Sequence, residues 1–463
     1  MELILTVIFA VIGFGILVFF HELGHFIAAI LFKIKVEVFA IGWGPALFKF
    51  TIKGVDFKLC AFPIGGFCKF KGDELDENYE KVSEDPDSFY NAKPYKRLII
   101  AFSGPFMNYI IALLFLSFLV MLPHKEIAIP PKIYLVDDYN TKFSNNTTND
   151  KETPAKKYGL KTGDLIIKMN KKEIKSYDQL TKFMFFNGKK PVNIKVNRDD
   201  NIIELKVTPE WDPYQLKAIL GVYYYQIPVI KYSETNKLIR YLDLRENDII
   251  IGLDNDFEDI TDIVVDKYLN QYFASNKIGI IHIKRGDKII QKEIDFSKIN
   301  NYISKDELRL DFHYPEVPIK GKNIFAALKD GFVASNEAIA ISAIGLYSFI
   351  FKPKKNIERQ IGGPIKIANI IGTVTISGFK ESLIEGIRNF FTIVSYISLA
   401  LAFFNLLPIP AVDGGHIVLN IYEIIRKKRL SIKVLQRINL IGFAILITLA
   451  IVVSIMDVSS FFK

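Results

Sequence analysis

Apolar positions are concentrated along this chain rather than spread evenly. Four stretches carry no charged side chain over a membrane-spanning length: Leu3 to Phe20, Leu98 to Pro123, Asn389 to Val412, and Ile438 to Met456. A helix needs roughly 20 apolar residues to cross a hydrocarbon core of about 30 Å, and these stretches fit. Between the second and third lies a long region, roughly 131 to 320, of ordinary water-soluble character. It contains a diverged tandem repeat, in which Leu160 and Leu244, Asp164 and Asp248, and Ile166 and Ile250 match at one offset. Each unit continues into an alternating hairpin. Val192, Ile194 and Val196 precede a turn near Asp199-Asp200-Asn201, and Ile281 and Ile283 precede one at Gly286-Asp287. A further uncharged run, Ala338 to Phe351, spans only 14 residues before Lys352, Lys354 and Lys355, which suits a helix lying in the membrane interface. The pattern predicts a polytopic α-helical membrane protein of four transmembrane helices, with a mostly β, water-exposed insert between the second and third.

Composition alone does not decide the class. The 463 residues are 50% hydrophobic with a mean hydropathy of +0.22, values that some soluble proteins approach, so the distribution carries the argument. The net charge of +9 invites a nucleic-acid reading, but much of it lies beside the spans. Lys33 and Lys35 follow the first span, and Lys93, Lys96 and Arg97 precede the second. Arg426, Lys427, Lys428, Arg429, Lys433 and Arg437 separate the third from the fourth. By the positive-inside rule both basic loops are cytoplasmic, so both termini and the insert lie on the other side and no nucleic-acid partner is expected. The first span is not read as a cleaved signal, because Met1-Glu2 lacks a basic residue and no small-residue cleavage site precedes His21. Cys60 and Cys68 are the only cysteines; on the reducing side they are expected to be inert thiols, neither a disulfide nor a zinc pair.

The candidate chemistry begins where the first span ends, at His21-Glu22-Leu23-Gly24-His25. Residues four apart on a helix point to nearly the same side, so both imidazoles face one way, and the adjacent Glu22 is placed to take a proton from water. Such a pair suits Zn²⁺. An ionisable residue at membrane depth costs at least about 2.5–3.5 kcal/mol, so Glu22 between two histidines asks for a compensating reason. The competing reading is a wet amphipathic extension of the helix; the apolar run Phe26 to Phe32 immediately afterwards weighs against it. A zinc hydrolase needs a third protein ligand. Asp413, after the helix breakers Pro408 and Pro410, is the candidate, with His416 a competitor on spacing alone and an interfacial Asp-Gly-Gly turn as the plain alternative.

His21-Glu22-x-x-His25 at a span end, together with Asn405-x-x-Pro408-x-Pro410-x-x-Asp413-Gly414, resembles the site-2 protease family, and in particular its bacterial sigma-E-regulating branch. Gly42-Trp43-Gly44-Pro45, Pro63-Ile64-Gly65-Gly66-Phe67 and Gly104-Pro105-x-x-Asn108 match further family segments, so the resemblance covers essentially the whole chain. It implies zinc held by His21, His25 and Asp413, Glu22 as general base, and Asn405 holding the substrate backbone. It also implies a small β-layer around Val36 to Phe70 that dips into the membrane. An edge strand there, over Gly65, Gly66, Phe67, Cys68 and Lys69, would pair with an unwound substrate, since an added strand presents carbonyls that a helix hides. Gly362-Gly363-Pro364-Ile365 resembles another family motif, with Lys366 in place of its usual Gly and no role readable from the sequence.

The Gly-Leu-x-x-Gly-Asp run of the first repeat resembles a PDZ domain of the bacterial protease type. The second departs from it, since Asn247 replaces the turn Gly and Asp254 the usual Asn, which puts its ligand binding in doubt. Such domains either bind a peptide C-terminus or exclude bulky substrates, and the filter is the favoured reading; the Asn140 to Thr153 loop is expected to be merely solvated. The expected organisation is a first span over 1–32, a cytoplasmic loop with the β-layer over 33–96, and a second span over 97–123. PDZ-like units follow over 131–210 and 211–315, interfacial amphipathic helices over 322–380, and spans over 387–416 and 434–457. The resemblance implies an intramembrane zinc metalloendopeptidase of a bacterial inner membrane. Its partners would be the lipid bilayer and pre-trimmed single-span proteins, such as anti-sigma factors and remnant signal peptides. A membrane-anchored PDZ scaffold with a silent metal site is the first rival. An ion transporter is the second, disfavoured because the spans show no inverted repeat.

Overall fold

The computed structural model describes residues 2–72, 85–143, 152–212, 217–299, 302–351 and 362–461. Lys352, Lys354 and Lys355, and much of the Asn140 to Thr153 loop, fall outside these. The chain forms two compact units, Met1–Pro123 with Lys320–Lys463, and His124–Ile319.

The first unit is built on helices α1 (Glu2–Leu31), α2 (Pro94–Met121), α3 (Ile324–Phe351), α4 (Pro364–Glu381), α5 (Leu383–Asn405), α6 (Asp413–Arg426) and α7 (Ile432–Phe461), with strands β1 (Val36–Ile52) and β2 (Val55–Phe70). Among the described residues, four helices are long and apolar enough to cross a bilayer: α1, α2, α5 and Arg437–Asp457 within α7. Each overlaps one of the four uncharged stretches, but the third expected span, 387–416, is not one helix: α5 stops at Asn405, because Pro408 and Pro410 break it, and α6 begins at Asp413. Leu440, Ile441, Phe443, Ile445 and Ile455 on α7 are exposed, an arrangement that suits lipid rather than water. These helices fit a membrane protein.

Helices in such an environment associate through small residues and close backbone approach. α3 is twice as long as the 14-residue apolar run, because Lys329, Asp330 and Glu337 interrupt the run without breaking the helix. It meets α2 at Gly331, where a Cβ would lie 2.2 Å from Ser117 Oγ, and Ala327 and Ser335, four residues to either side on the same face, are buried. The Gly362-Gly363-Pro364 segment acquires a reason here. Asp457, buried near the end of α7, accepts from the backbone amides of Gly363 at 2.9 Å and Lys366 at 3.0 Å, capping the N-terminus of α4. A Cβ at Gly363 would stand 2.6 Å from that carboxylate. Lys96 reaches the Phe32 carbonyl at 3.4 Å, Arg97 forms a buried ion pair with Glu423, and Arg429 reaches the Asn91 carbonyl at 3.2 Å. The basic clusters flanking different helices thus share one end of the bundle.

β1 and β2 fold back on one another more than a simple hairpin does. Val38, Phe39, Ala40 and Ile41 pair with Asp56, Phe57, Lys58 and Leu59, and also with Lys69, Cys68, Phe67 and Gly66. The chain reverses at Gly42 and Gly44, both at positive φ. Gly66 to Phe70 consequently form an outer edge, with no second strand partner among the described residues.

The second unit has two cores. One gathers Ile166, Met169, Leu180, Ile194 and Val196 around the sheet of Leu165–Met169, Val192–Arg198 and Asn201–Val207; the other gathers Ile250, Val265, Leu269, Ile281 and Ile283 around Ile249–Leu253, Ile278–Arg285 and Lys288–Asp295. The same polar cluster occurs in each. Asp164 accepts from Arg198 Nε at 2.7 Å and from the Lys161 amide at 2.9 Å, and Asp248 accepts from Arg285 Nε at 2.8 Å and from the Arg245 amide at 2.8 Å. Gly163 and Asn247 both adopt positive φ, as do Asn170 and Asp254, so the substitutions at 247 and 254 leave the backbone path unchanged. Asp199 and Asp200, both at positive φ, make the two-residue turn of the first hairpin. Strands His124–Ile127 and Glu316–Ile319 pair with each other, so the chain enters and leaves this unit through one two-stranded stem.

Asp164 and Asp248 are almost wholly buried, so each depends on its arginine. Arg198→Ala removes charge-assisted hydrogen bonds valued at about 1.5–3 kcal/mol. The expected result is amide exchange accelerated roughly 10- to 150-fold over 155–207, with 249–299 unchanged. Equal acceleration in both halves would contradict two separate cores.

Candidate metal centre

His21 and His25 lie on one face of α1, one turn apart, as their spacing requires. Asp413 reaches them from elsewhere. α5 ends at Asn405, residues 406–412 form a tight irregular loop with Ala411 at φ +74°, and α6 starts at Asp413. Pro408 and Pro410 prevent the helix from continuing. The loop folds hard against the start of α6: a Cβ on Gly414 would lie 2.0 Å from the Leu407 carbonyl oxygen, and one on Gly415 2.4 Å from that of Ile409. Gly442 of α7 supports the loop from outside, where a Cβ would stand 2.4 Å from the Pro410 oxygen.

Three side chains converge as a result. His21 Nε2 stands 3.1 Å from Asp413 Oδ2, His25 Nε2 3.4 Å from Asp413 Oδ1, and the two Nε2 atoms 3.3 Å from each other. His25 Nδ1 lies 2.7 Å from the Ile100 carbonyl, which can only accept. Nδ1 therefore carries a proton, and in the neutral imidazole Nε2 offers a lone pair to the cluster. That lone pair faces a carboxylate and a second imidazole nitrogen, an arrangement that a cation relieves. Two imidazoles and one carboxylate, with ligand atoms within 4.8 Å of one another, are a donor set of the kind catalytic zinc uses. Zinc fits these residues.

α2 can approach this cluster only because residue 104 has no side chain. A Cβ on Gly104 would lie 2.3 Å from His25 Nε2 and 2.9 Å from His21 Cε1. Gly24, inside the histidine motif, serves the same contact from α1, since its Cβ would stand 2.2 Å from the Ser103 carbonyl oxygen.

Glu22 is 8% exposed and sits against the β-sheet edge: the Cys68 backbone amide donates to its carboxylate, and a Cβ on Gly66 would be 3.1 Å from its Cγ. Gly66 and Cys68 are thereby beside the histidine motif, with Gly65 and Phe67 in the same strand. Phe67 packs on Trp43 at 5.8 Å between ring centres, and Lys69 pairs with Glu37 at 3.8 Å. Asn405, half-buried at the end of α5, has no side-chain hydrogen-bond partner among the described residues. His416 is not one of the three converging side chains. Asn108, quoted in the sequence reading only as part of a resemblance, turns out to face His21 at 3.2 Å; an amide inside an apolar span is costly, and that was the available signal. The Ile100 carbonyl had no sequence signal, since any residue supplies one.

The sequence profile described as Peptidase family M50 matches residues 9–449. Curated relatives span nearly the same length. A protein of Treponema pallidum named "Putative zinc metalloprotease" is 26% identical over 445 residues, covering 95% of this chain and 96% of the relative. A like-named protein of Borreliella burgdorferi is 30% identical over 441 residues and 92% of both chains, and one of Clostridium acetobutylicum is 26% identical over 453 residues, 98% of this chain and 97% of the relative.

Gly104→Ala tests the close approach of α2. The methyl group would push apart side chains whose spacing sets the site, and a displacement of about 1 Å is worth about 100-fold in turnover. Zinc content and peptidase activity are both expected to fall while helix content by circular dichroism stays at the wild-type value. Full zinc occupancy and wild-type turnover in this variant would contradict the geometry.

Proposed function

The chain belongs to peptidase family M50 and is a zinc-dependent metalloendopeptidase, and from that premise we propose that it cuts peptide bonds within membrane-spanning segments. The single observation that carries the proposal is the convergence of His21 and His25, within the apolar helix α1, with Asp413, at the start of α6 just beyond the apolar helix α5. In this reading those three side chains hold the metal and Glu22 is the general base.

Zinc, when bound, supplies Lewis acidity toward water and toward the carbonyl of the scissile peptide. Glu22 accepts a proton from the attacking water and returns it to the departing amine nitrogen. Its carboxylate is held in place by the Cys68 amide, so base and sheet edge are fixed relative to each other. The edge from Gly65 to Lys69 adds the substrate as a further strand, which exposes carbonyls that a helix would conceal. Asn405, whose amide is unengaged among the described residues, holds the substrate backbone. Water exclusion follows from the buried setting of Glu22 and His25.

The substrate class proposed is the single-span protein whose outer part has already been trimmed, including anti-sigma factors and remnant signal peptides. The insert is read as a tandem pair of PDZ-like domains, which the matched Asp164–Arg198 and Asp248–Arg285 clusters support. Its role is a filter against bulky outer domains rather than chiefly a receptor for peptide C-termini; a unit of this size on one two-stranded stem suits that role. The basic clusters at one end of the helical bundle favour a cytoplasmic placement for that end, with both termini and the insert on the opposite side of a bacterial inner membrane.

Glu22→Gln keeps the size and hydrogen bonding of the side chain but cannot take a proton. With a short single-span reporter and purified protein, cleavage should fall by roughly 10²–10⁴-fold, with bound zinc unchanged. Chelation should abolish the wild-type activity and zinc should restore it. Cleavage by the variant at the wild-type rate would remove Glu22 from the reaction, and cleavage confined to water-exposed sequence would remove the intramembrane assignment.

A further inference from the structure

The two ligand imidazoles are gripped from behind by the same helix in different ways. His25 Nδ1 is 2.7 Å from the backbone carbonyl of Ile100, and His21 Nδ1 is 3.2 Å from the side-chain amide of Asn108, both on α2. Asn108 is wholly buried, so water cannot take its place. Its backbone carbonyl accepts from Ser398 Oγ of α5 at 2.9 Å, which ties its position to a second helix.

The orientation of that amide decides what His21 can do. With the NH₂ group toward Nδ1, the Asn108 oxygen is buried without a partner among the described residues, and Nδ1 has to accept. The one ring proton would then sit on Nε2 and point into the cluster, where it blocks ligation. Turning the amide through 180° exchanges oxygen for nitrogen at the same positions. Nδ1–H then donates to Oδ1, and Nε2 presents a lone pair beside that of His25. The exchange leaves a different polar group unpaired, so the amide itself is nearly indifferent; ligation selects the second orientation.

We propose that Asn108 is the positioning residue for His21. Its side-chain oxygen fixes the Nδ1–H tautomer and the ring plane, as the Ile100 carbonyl does for His25. The proposal rests on the zinc-centre reading of His21, His25 and Asp413. Metal ligands of this type are generally held by such an acceptor, whose loss weakens binding by about 10–100-fold.

Zinc affinity of the full-length protein in detergent, measured by competition with a chromophoric chelator, tests it without reference to activity. Asn108→Asp retains an acceptor and is expected to bind zinc close to wild type. Asn108→Leu and Asn108→Ala, one filling the space and one leaving it open, are expected to bind about 10–100-fold more weakly. The visible spectrum of the Co²⁺-substituted protein should be preserved in the Asp variant and shifted in the other two. Should the Leu variant fail to fold, the Ala variant carries the comparison. Wild-type affinity and spectrum in either Leu or Ala would overturn the proposal, as would an Asp variant as weak as they are. His21→Ala separates the two levels: if it retains wild-type zinc affinity, the centre itself is misassigned, whereas if it loses zinc while Asn108→Ala does not, only the positioning role fails.

Discussion

Three electron-pair donors brought together in an apolar setting are an unfavourable arrangement until a cation joins them. The Nε2 atoms of His21 and His25 and the carboxylate of Asp413 converge within hydrogen-bonding distance, yet the proton of His25 is committed elsewhere, to the Ile100 carbonyl. In water such groups would be solvated apart; among apolar helices the electrostatic cost of crowding them is larger, and so is the gain from a divalent ion. Much of the first unit can be understood as what this crowding requires.

The requirement is met by backbone approach more than by side chains. Gly24 and Gly104 let α1 and α2 come together at the level of the imidazoles, and Gly414 and Gly415 let the broken loop fold onto α6 so that Asp413 faces α1. α7 closes the arrangement at two points, Gly442 against the Pro410 loop and Asp457 at the N-terminus of α4. The β-sheet edge is anchored to the same centre through Glu22. One carboxylate therefore connects the helix that carries His21 and His25 to the strand proposed to receive the substrate.

The sequence made the spans legible because lipid-facing helices lack charge over a fixed length, and it made His21 and His25 legible because helical periodicity puts them on one face. Asp413 was readable only because two prolines force the chain to turn before it. The long α3 was not, since Lys329, Asp330 and Glu337 shorten an apolar run without ending a helix. Nor was the contact of Gly363 with Asp457, 94 residues away, or the Ile100 carbonyl, which belongs to the backbone. In the second unit the matched leucines, aspartates and isoleucines were visible, but the arginines that hold the two aspartates were not. Arg198 and Arg285 fall at different offsets from their partners, so only the fold aligns them.

X-ray absorption at the zinc edge of the purified protein addresses the centre most directly. The account predicts one zinc per chain with only nitrogen and oxygen neighbours at about 2.0–2.2 Å, including the outer-shell signature of two imidazoles. A sulfur neighbour at about 2.3 Å would place the metal on Cys60 or Cys68, and with it the centre described here would fall.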